Sequence, residues 1–252
     1  MKKILWLVVV LFTTMTLLAT LAPAQEHHTA HWSYNGETGP SHWAGLNPEY
    51  AACGNGHEQS PINIAHPVHA NLPAIEFHYA AAPLKLINNG HTVQVNYAPG
   101  SYISVAGHKY DLVQFHFHHP SEEQVDGKPS DLVIHLVHKD SEGHLAVVAV
   151  LFKPGESNAA IKAVVDHVPK TKEQEVATGA TIDAGALLPQ ARNYYTFPGS
   201  LTTPPCTEGV RWFVLETPSS LDNAELQALA TLYPHNARPV QPLYKRTVQA
   251  GQ

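Results

Sequence analysis

The alternation of apolar and polar residues along the chain predicts a protein built mainly from β-strands. Seven short runs are rich in valine, isoleucine, phenylalanine or tyrosine and are set off by turn-forming residues, a combination typical of strands. Turn signals at Asn88-Asn89-Gly90, Pro99-Gly100 and Asp126-Gly127 separate several of these runs. The pattern therefore predicts a large, mostly antiparallel sheet from the runs Lys85–Ile87, Thr92–Tyr97, Tyr102–Val105, Asp111–His118, Asp131–His138, Leu145–Phe152 and Val210–Leu215.

Helical periodicity is weak by comparison, and two segments carry it. Ser157–His167 and Ala224–Tyr233 have apolar residues three and four positions apart, as one face of a helix requires. We find no linker, internal repeat or low-complexity tract that would divide the 252 residues into separate units. The expected fold is mainly β (α+β), a single domain in which short peripheral helices surround a twisted sheet.

The first residues have the organisation of a secretory signal peptide. Lys2-Lys3 precede the apolar run Ile4–Leu21, and Ala22-Pro23-Ala24 form a small-residue exit. The run is nearly long enough to span a membrane, so an uncleaved anchor is the alternative, but its threonines and the alanine exit favour cleavage. We expect residues 1–24 to be removed and 25–252 to form the functional domain of a secreted protein of the bacterial periplasm, with no stable membrane anchor.

Charge and cysteine content narrow the choice of partners and compartment. The formal net charge of −6 argues against a nucleic-acid partner, because the phosphate backbone demands a basic face. The chain contains two cysteines, Cys53 and Cys206, and two thiols in an exported protein usually pair. A disulfide is the favoured interpretation, with free thiols or a metal pair as alternatives.

The spacing of three histidines indicates a place where a metal ion would fit. Alternate residues of a strand share a face, so His116 and His118 lie on one side of their strand and Phe115 and Phe117 on the other. On the next predicted strand, His135 shares a face with its apolar neighbours two positions away. A connecting loop of about a dozen residues would return this strand beside the first and bring the three imidazoles together.

Three histidine nitrogens with an open fourth position are typical of catalytic zinc, whereas structural zinc sites are closed by four protein ligands. Neutral imidazole also suits copper, iron or nickel. Pairs of surface or core histidines give the same spacing without any metal. On spacing alone, the sequence therefore supports a three-histidine metal site as one of several interpretations.

The sequence around these histidines, and along most of the chain, closely resembles that of the alpha-class carbonic anhydrases. The resemblance covers nearly the whole chain after the predicted signal peptide, from His31-Trp32-Ser33-Tyr34 to Arg238-Pro239-Val240-Gln241-Pro242-Leu243. Its further markers, in the family's order, are His42-Trp43, Gln59-Ser60-Pro61-Ile62-Asn63-Ile64, Asn88-Asn89-Gly90-His91, Gln114-Phe115-His116-Phe117-His118, Ser121-Glu122, His135-Leu136-Val137-His138 and Ser200-Leu201-Thr202-Thr203-Pro204-Pro205.

The resemblance implies a specific metal centre and fold. It implies one zinc ion per chain, bound by His116, His118 and His135 at the base of a conical cleft in a sheet of about ten strands. It implies the reversible hydration of carbon dioxide to bicarbonate by zinc-bound hydroxide. It also implies that Cys53 and Cys206 form the disulfide common in secreted and bacterial members.

The resemblance further assigns roles to residues around the metal. Thr202 and Glu122 would orient the nucleophile, and His91 would carry the proton to solvent, a task that suits an imidazole with a pKa near 7. Apolar residues and Thr203 would form the carbon dioxide pocket, and polar residues, again with Thr203, would order water between the metal and His91. The pocket residues are Val137, Val147, Leu201, Thr203, Val210 and Trp212, and the water-ordering residues are Tyr34, Asn89 and Gln94.

Two positions depart from the family pattern near the third ligand. Two other positions keep the pattern, since Gln114 and Asn236 match residues that orient ligand imidazoles, the asparagine through its backbone carbonyl. The departures are at positions 133 and 123. The residue two before the third ligand is often glutamate, but here it is Val133, which cannot accept a hydrogen bond. A water molecule or a backbone carbonyl is the expected substitute acceptor. Glu123 stands where many members carry histidine, and the two departures put the rate and the zinc affinity in doubt.

Rival functions predict different observations. A catalytically weak, carbonic anhydrase-like zinc-binding protein is the main alternative, although such relatives typically lose a zinc ligand. A zinc-storage protein would hold several metal ions per chain. A zinc peptidase is disfavoured because the chain contains no His-Glu-x-x-His motif. The oligomeric state, including a homodimer, is left open by the sequence.

Overall fold

The computed structural model describes residues 31–251. The predicted signal peptide, residues 1–24, lies outside these described residues. Within the described part of the chain, no helix has the length and apolar character needed to cross a membrane.

The described residues form sixteen strands and four short α-helices. The helices are α1 (Trp43–Leu46), α2 (Ala52–Asn55), α3 (Ala159–Val165) and α4 (Asn223–Leu232), with 3₁₀ turns at Gly36–Thr38, Pro48–Tyr50 and Ala184–Leu187. The strands are β1 (Asn63–Ile64), β2 (Val68–His69), β3 (Ile75–His78), β4 (Ala82–Asn88), β5 (Val93–Asn96), β6 (Tyr102–Val105), β7 (His108–His118), β8 (Gln124–Val125), β9 (Lys128–Pro129), β10 (Leu132–Lys139), β11 (Leu145–Pro154), β12 (Glu175–Ile182), β13 (Tyr194–Ser200), β14 (Glu208–Leu215), β15 (Ser219–Leu221) and β16 (Gln249–Gly251).

One large mixed sheet organises the domain. Its main path runs β12-β4-β5-β7-β10-β11-β14-β13-β16-β2, with β3, β6 and β15 attached beside it. Most neighbours are antiparallel, while β11 pairs in parallel with β14 and β15, and β16 pairs in parallel with β2. The expected fold class, a single domain on a large and mostly antiparallel sheet, is confirmed. All seven predicted strands are present, and both predicted helices are found as α3 and α4.

The central strand β10 shows how the sheet separates two apolar clusters. Leu132, Ile134 and Leu136 alternate along β10 and are buried in the larger cluster, which α3 and α4 cover on their side of the sheet. Val133 points to the opposite face and belongs to the smaller cluster. Because side chains alternate across a strand, His135 lies on the face of Val133 and not on the face of the helices. The functional face of the sheet is thus the one away from α3 and α4.

Several strands gave no clear sequence signal. The large sheet has thirteen strands within the described residues, more than the roughly ten that the resemblance implied, because short edge strands such as β2 and β16 complete it. Strand β13 contains Pro198 and Gly199, residues that usually mark turns. A β-carbon at Gly199 would overlap the Ser60 hydroxyl and the Trp212 ring. Close packing therefore explains a glycine within this strand.

The connection from β7 to β10 brings the two histidine strands together. It spans residues 119–131 and contains the small hairpin of β8 and β9. Asp126 and Gly127 at its tip have φ angles of 49° and 75°. Positive φ at both positions is the geometry of a tight two-residue hairpin turn, which Asp-Gly favours. The predicted bend is therefore found where the sequence placed it.

A disulfide joins Cys53 in α2 to Cys206 in the loop that follows β13, across 153 positions of sequence. Buried Arg238 reinforces this link, since its guanidinium donates to the Cys53 carbonyl at 2.9 Å and to the Ser60 carbonyl at 2.7 Å. Gln59 donates to the Cys206 carbonyl at 2.9 Å. The predicted pairing is present, and it anchors the Leu201–Pro205 loop to the N-terminal part of the domain.

Opening this disulfide is expected to lower the free energy of unfolding by about 2–5 kcal/mol, because a long closed loop restricts the unfolded chain. Denaturant unfolding of oxidised and reduced protein measures the difference. The Cys53→Ser/Cys206→Ser double variant is the control, because reductant should not change its stability further. Equal stability of the oxidised and reduced forms would contradict a stabilising role for the crosslink.

Candidate metal centre

The three histidines predicted as ligands converge on one face of the sheet. His116 and His118 extend from β7, and His135 extends from β10, where it lies directly opposite His116 in the antiparallel register. One ring nitrogen from each residue lies within 4.8 Å of the other two. His118 and His135 are almost fully buried, and His116 is partly buried. The strand-face argument from the sequence therefore places these side chains correctly.

The outer nitrogen of each imidazole is fixed by an acceptor. His116 Nδ1 donates to Gln114 Oε1 at 2.8 Å, and His118 Nδ1 donates to the backbone carbonyl of Asn236 at 2.7 Å. His135 Nε2 donates to the carboxylate of Glu123 at 3.1 and 3.2 Å. Because carbonyl and carboxylate oxygens only accept, these contacts place the ring hydrogen on the outer nitrogen. The remaining lone pairs, on His116 Nε2, His118 Nε2 and His135 Nδ1, are free to bind a metal ion.

Two buried acceptors at the centre of the site, one of the three ring nitrogens and one carboxylate oxygen, indicate that a cation fits here. His118 Nε2 and Glu122 Oε2 are both buried without a hydrogen-bond partner. They lie 3.5 Å apart, and Glu122 Oε2 is 3.8 Å from His135 Nδ1. Unpaired buried acceptors facing one another are costly, and a cation bound to the imidazoles relieves that cost. The three nitrogens and no sulfur match a catalytic zinc centre with an open position.

The pKa shifts differ among the three histidines. Burial and the charge of His135 together lower the pKa of His116 to about 3. Burial likewise holds the pKa of His118 well below its usual value. Burial alone would lower the pKa of His135, but the charge and hydrogen bond of Glu123 and the charge of Glu122 outweigh it and raise the pKa. Burial thus keeps His116 and His118 neutral, while the two carboxylates favour positive charge at His135.

Glu122 lies beneath the imidazoles and is held by the backbone of Arg238, whose N–H donates to Glu122 Oε1 at 2.8 Å. Burial, together with the charge of Glu123, raises the pKa of Glu122 to about 7, against the opposing effects of the His135 charge, the Arg238 N–H and the Thr202 hydroxyl. Thr202 itself is buried. The structure therefore brings Thr202 and Glu122 together next to the candidate metal ligands, and Glu122 is not a solvated surface acid.

The acceptor for His135 corrects one expectation. Val133 is fully buried in the smaller apolar cluster and offers no acceptor, as the sequence indicated. The expected substitute was a water molecule or a backbone carbonyl, and this expectation was wrong. The acceptor is the carboxylate of Glu123, the residue that had been noted only as a departure from the family pattern.

A cleft opens above the imidazoles, and Tyr34, Asn89 and Gln94 are among the residues that line it. Its volume is about 130 Å³. Gln94 occupies the register position opposite His116 on the neighbouring strand β5. Tyr34 is protonated under ordinary conditions, because burial and the nearby charge of Glu122 hold its pKa well above the usual value. The cleft is lined by Trp32, Tyr34, Asn89, His91, Thr92, Gln94, Gln114, His116, His118 and Thr203.

The predicted apolar pocket residues lie in the smaller cluster on the same side of the sheet. Trp212 is buried, and its ring lies 4.9 Å from the His135 ring between centroids. Leu201 and Val137 are partly buried at the margin of this cluster. Val147 and Val210 are almost fully buried, so they are core residues as well as neighbours of the site. Apolar side chains thus lie against the third imidazole.

His91 lies at the mouth of the cleft. Its ring stacks on Trp32 with centroids 3.7 Å apart and an interplanar angle of 8°. It also lines an outer hollow together with His31 and His235. Burial lowers the pKa of His91 from its usual value, and the charges of His31 and Lys172 add to this effect. The side chain is therefore neutral near pH 7 and in contact with both the cleft and the exterior.

Three residues take part in the site without having been assigned a role from the sequence. Arg238 fixes Glu122 and the disulfide region, Glu123 holds His135, and Trp32 supports His91. The run Arg238–Leu243 was one of the motifs that carried the resemblance, but the sequence did not show what Arg238 does in the site. Asn236 also does more than predicted, since its side chain donates to the carbonyls of His91 at 3.0 Å and Phe117 at 2.9 Å.

The fold and the site together define a β-sheet protein with a cluster of three histidines that could hold a metal ion beside a cleft. The family model for eukaryotic-type carbonic anhydrases matches residues 38–252. A carbonic anhydrase of Klebsiella pneumoniae is 45% identical over 87% of this chain and 90% of its own length, and one from a Nostoc species is 42% identical over 87% and 86%. The alpha-carbonic anhydrase of Thermovibrio ammonificans, solved with the inhibitor sulfanilamide, is similar in structure, with a TM-score of 0.85 and 42% identity over 87% of this chain and 99% of its own.

The chain belongs to the eukaryotic-type, or alpha, carbonic anhydrase family. The resemblance drawn from the sequence motifs is confirmed, and so is the enzyme class.

Proposed function

We propose that this protein catalyses the reversible hydration of carbon dioxide to bicarbonate and a proton, with one zinc ion bound by His116, His118 and His135. The observation that carries the proposal is the convergence of three imidazole nitrogens, one from each histidine, while the outer nitrogen of each ring contacts an acceptor. Family membership supports the same reaction. When bound, zinc would supply a Lewis acid that lowers the pKa of water to about 7, a value known for this enzyme family.

The chain's own residues would orient the nucleophile and hold the substrate. The Thr202 hydroxyl would accept a hydrogen bond from the nucleophile and donate its own hydrogen to Glu122, whose carboxylate only accepts when it is ionised. This order of donors leaves the nucleophile's lone pair directed at the substrate. Trp212, Leu201 and Val137 would provide the apolar surface that a small, uncharged gas molecule requires.

His91 would transfer the product proton from the cleft to solvent. Its position between the inner cleft and the outer hollow supports this role, and Tyr34, Asn89 and Gln94 line the space in which ordered water would connect it to the metal. A neutral imidazole accepts a proton at one nitrogen and releases one from the other. The stacking on Trp32 leaves the ring edges, where both nitrogens lie, available for such exchange.

Metal content and carbon dioxide hydration, measured on the same purified sample lacking residues 1–24, test the proposed function. We expect one zinc per chain and hydration activity that is lost with a chelator and restored by zinc. One zinc per chain without hydration would favour the alternative, a catalytically weak zinc-binding relative. Several tightly held zinc ions would favour storage.

Replacing His91 with alanine is expected to lower the maximal rate at low buffer concentration by about 10-fold or more, since proton transfer by a positioned group contributes on the order of 10²–10⁴-fold. The value of kcat/KM for hydration should change little, and the zinc content should stay at one per chain. Imidazole buffer should restore much of the rate by replacing the missing proton carrier. Stopped-flow hydration at several buffer concentrations measures both quantities.

The controls for this prediction are His31→Ala and His235→Ala, because both residues line the same outer hollow. An unchanged low-buffer rate in His91→Ala would contradict the role of His91, and a loss in either control would assign proton transfer to that residue. An equal loss of kcat/KM in His91→Ala would place His91 in the chemical step instead.

We also propose that the protein is exported to the bacterial periplasm with removal of residues 1–24. The disulfide supports this location, because such bonds persist in oxidising compartments, and several relatives are bacterial. Determination of the N-terminal residue of protein recovered from the periplasmic fraction tests the proposal, with Gln25 expected first.

A further inference from the structure

The residue two positions before His135 cannot orient it. Val133 and His135 lie on the same face of β10, where a longer polar side chain at position 133 would be close to the imidazole. Val133 is instead fully buried among aliphatic side chains that include Ile62 and Ile64. Strand β10 therefore presents hydrocarbon, and not an acceptor, beside the third ligand.

Glu123 reaches the same imidazole from a different element. It immediately precedes β8, which pairs in parallel with β1. Its backbone carbonyl accepts from the Ser121 hydroxyl at 2.7 Å, and the next backbone N–H, of Gln124, donates to the Ile62 carbonyl at 3.3 Å. The peptide unit that follows Glu123 is thus anchored at both its carbonyl and its N–H, which restricts the direction in which the Glu123 side chain leaves the backbone.

The environment of the Glu123 carboxylate points to one partner. The residue is fully buried, and within residues 31–251 the hydrogen bonds of its carboxylate all involve His135 Nε2. A buried carboxylate is costly unless it is paired and hydrogen-bonded. The adjacent Glu122 approaches the opposite nitrogen, with Oε2 at 3.8 Å from Nδ1. Two consecutive buried carboxylates therefore lie on either side of one imidazole.

We propose that Glu123 is the residue that positions His135 for metal binding, and that it supplies from the β7–β10 connection the carboxylate that Val133 does not supply from β10. The inference rests on the proposed zinc site. Acceptance from Nε2–H fixes the tautomer and orientation of the ring and increases the basicity of Nδ1, which faces the metal position. Val133 and Glu123 thus act as a compensating pair.

The first test replaces Glu123 with glutamine and measures zinc directly. We expect zinc affinity to fall by about 10–100-fold and zinc release to a chromophoric chelator to accelerate correspondingly. The visible spectrum of the cobalt-substituted protein should change, because the orientation of one ligand changes. Glu142→Gln, at an exposed carboxylate in the β10–β11 turn, is the control and should match the wild type. Unchanged zinc affinity and release in Glu123→Gln would overturn the proposal.

The second test moves the carboxylate. Glu123→Ala should lose zinc affinity, and Glu123→Ala/Val133→Glu should recover a large part of it, whereas a residue needed only for folding would not be rescued in this way. In both variants the unfolding of the metal-free protein separates stability from affinity. Failure of the double variant to recover, with a folded metal-free protein, would count against the compensating pair.

A third measurement separates this inference from the proposed function. In ¹⁵N-labelled metal-free protein, the His135 Nε2–H signal should be shifted downfield and protected from exchange, and Glu123→Gln should remove that shift. Wild-type protein that binds no zinc but shows this signal would refute the proposed function and leave the Glu123–His135 contact intact. Wild-type protein that binds zinc without this signal would overturn the inference alone.

Discussion

Replacing His135 with alanine is expected to reduce bound zinc from one per chain to near zero and to lower carbon dioxide hydration by at least about 100-fold. Two imidazoles from β7 would remain, but catalytic zinc sites generally need three protein ligands to leave one position for the reaction. Because the site would lack the metal, activity would fall with zinc content. Elemental analysis and stopped-flow hydration on the same sample measure both losses.

Two further measurements complete this test: the activity of His135→Ala at high zinc concentration, and the zinc content and activity of a surface variant that should have no effect. High zinc concentration should partly restore activity if the remaining ligands still bind weakly. His69→Ala, on the exposed strand β2, is the control and should keep one zinc and full activity. If His135→Ala retained one tightly bound zinc, a ligand set other than the three histidines would be required, and the proposed metal centre would be wrong.

Replacing Thr202 with alanine is expected to lower kcat/KM for hydration on the order of 100-fold while leaving zinc at one per chain. The hydroxyl is the group proposed to fix the direction of the nucleophile, and a misplacement of about 1 Å in a reacting group has effects of this size. Added imidazole buffer should not restore the rate, because proton transfer is not the step affected. Hydration kinetics at saturating buffer measure the effect.

Serine provides the matched comparison at this position. Thr202→Ser keeps the hydroxyl and should retain most of kcat/KM, whereas Thr202→Val keeps the shape without the hydroxyl and should behave like alanine. If valine and serine gave the same kcat/KM, packing at Thr202 and not its hydroxyl would be responsible. The contrast with His91→Ala, which should respond to buffer, distinguishes orientation of the nucleophile from removal of the proton.

Much of the site follows from local sequence patterns. The alternation of side chains along β7 and β10 determines that His116, His118 and His135 share one face, because a strand has a period of two residues. The Asp126-Gly127 turn favours the bend that returns β10 beside β7, since both residues tolerate positive φ. The family motifs then identified the cleft residues, and the comparisons confirm the family.

The sequence patterns did not predict the very short strands or the strand that contains proline and glycine. β2, β8, β9 and β16 are two or three residues long, too short for alternation to be visible. β13 carries Pro198 and Gly199, whose local preferences oppose a strand. Their place in the sheet depends on packing, as the contact of Gly199 with Ser60 and Trp212 shows, and not on their own propensity.

The sequence by itself determined that His116 and His118 share one face of their strand, where the chain turns before His135 and which family the motifs match, because each depends on neighbouring residues. The tertiary structure alone decided which groups hold those histidines. Glu123 is 12 positions from His135, and Asn236 is 118 positions from His118. Arg238 contacts Glu122 and Cys53 across 116 and 185 positions. No local pattern encodes such contacts, since a hydrogen bond to a ligand depends on where distant backbone segments meet in three dimensions.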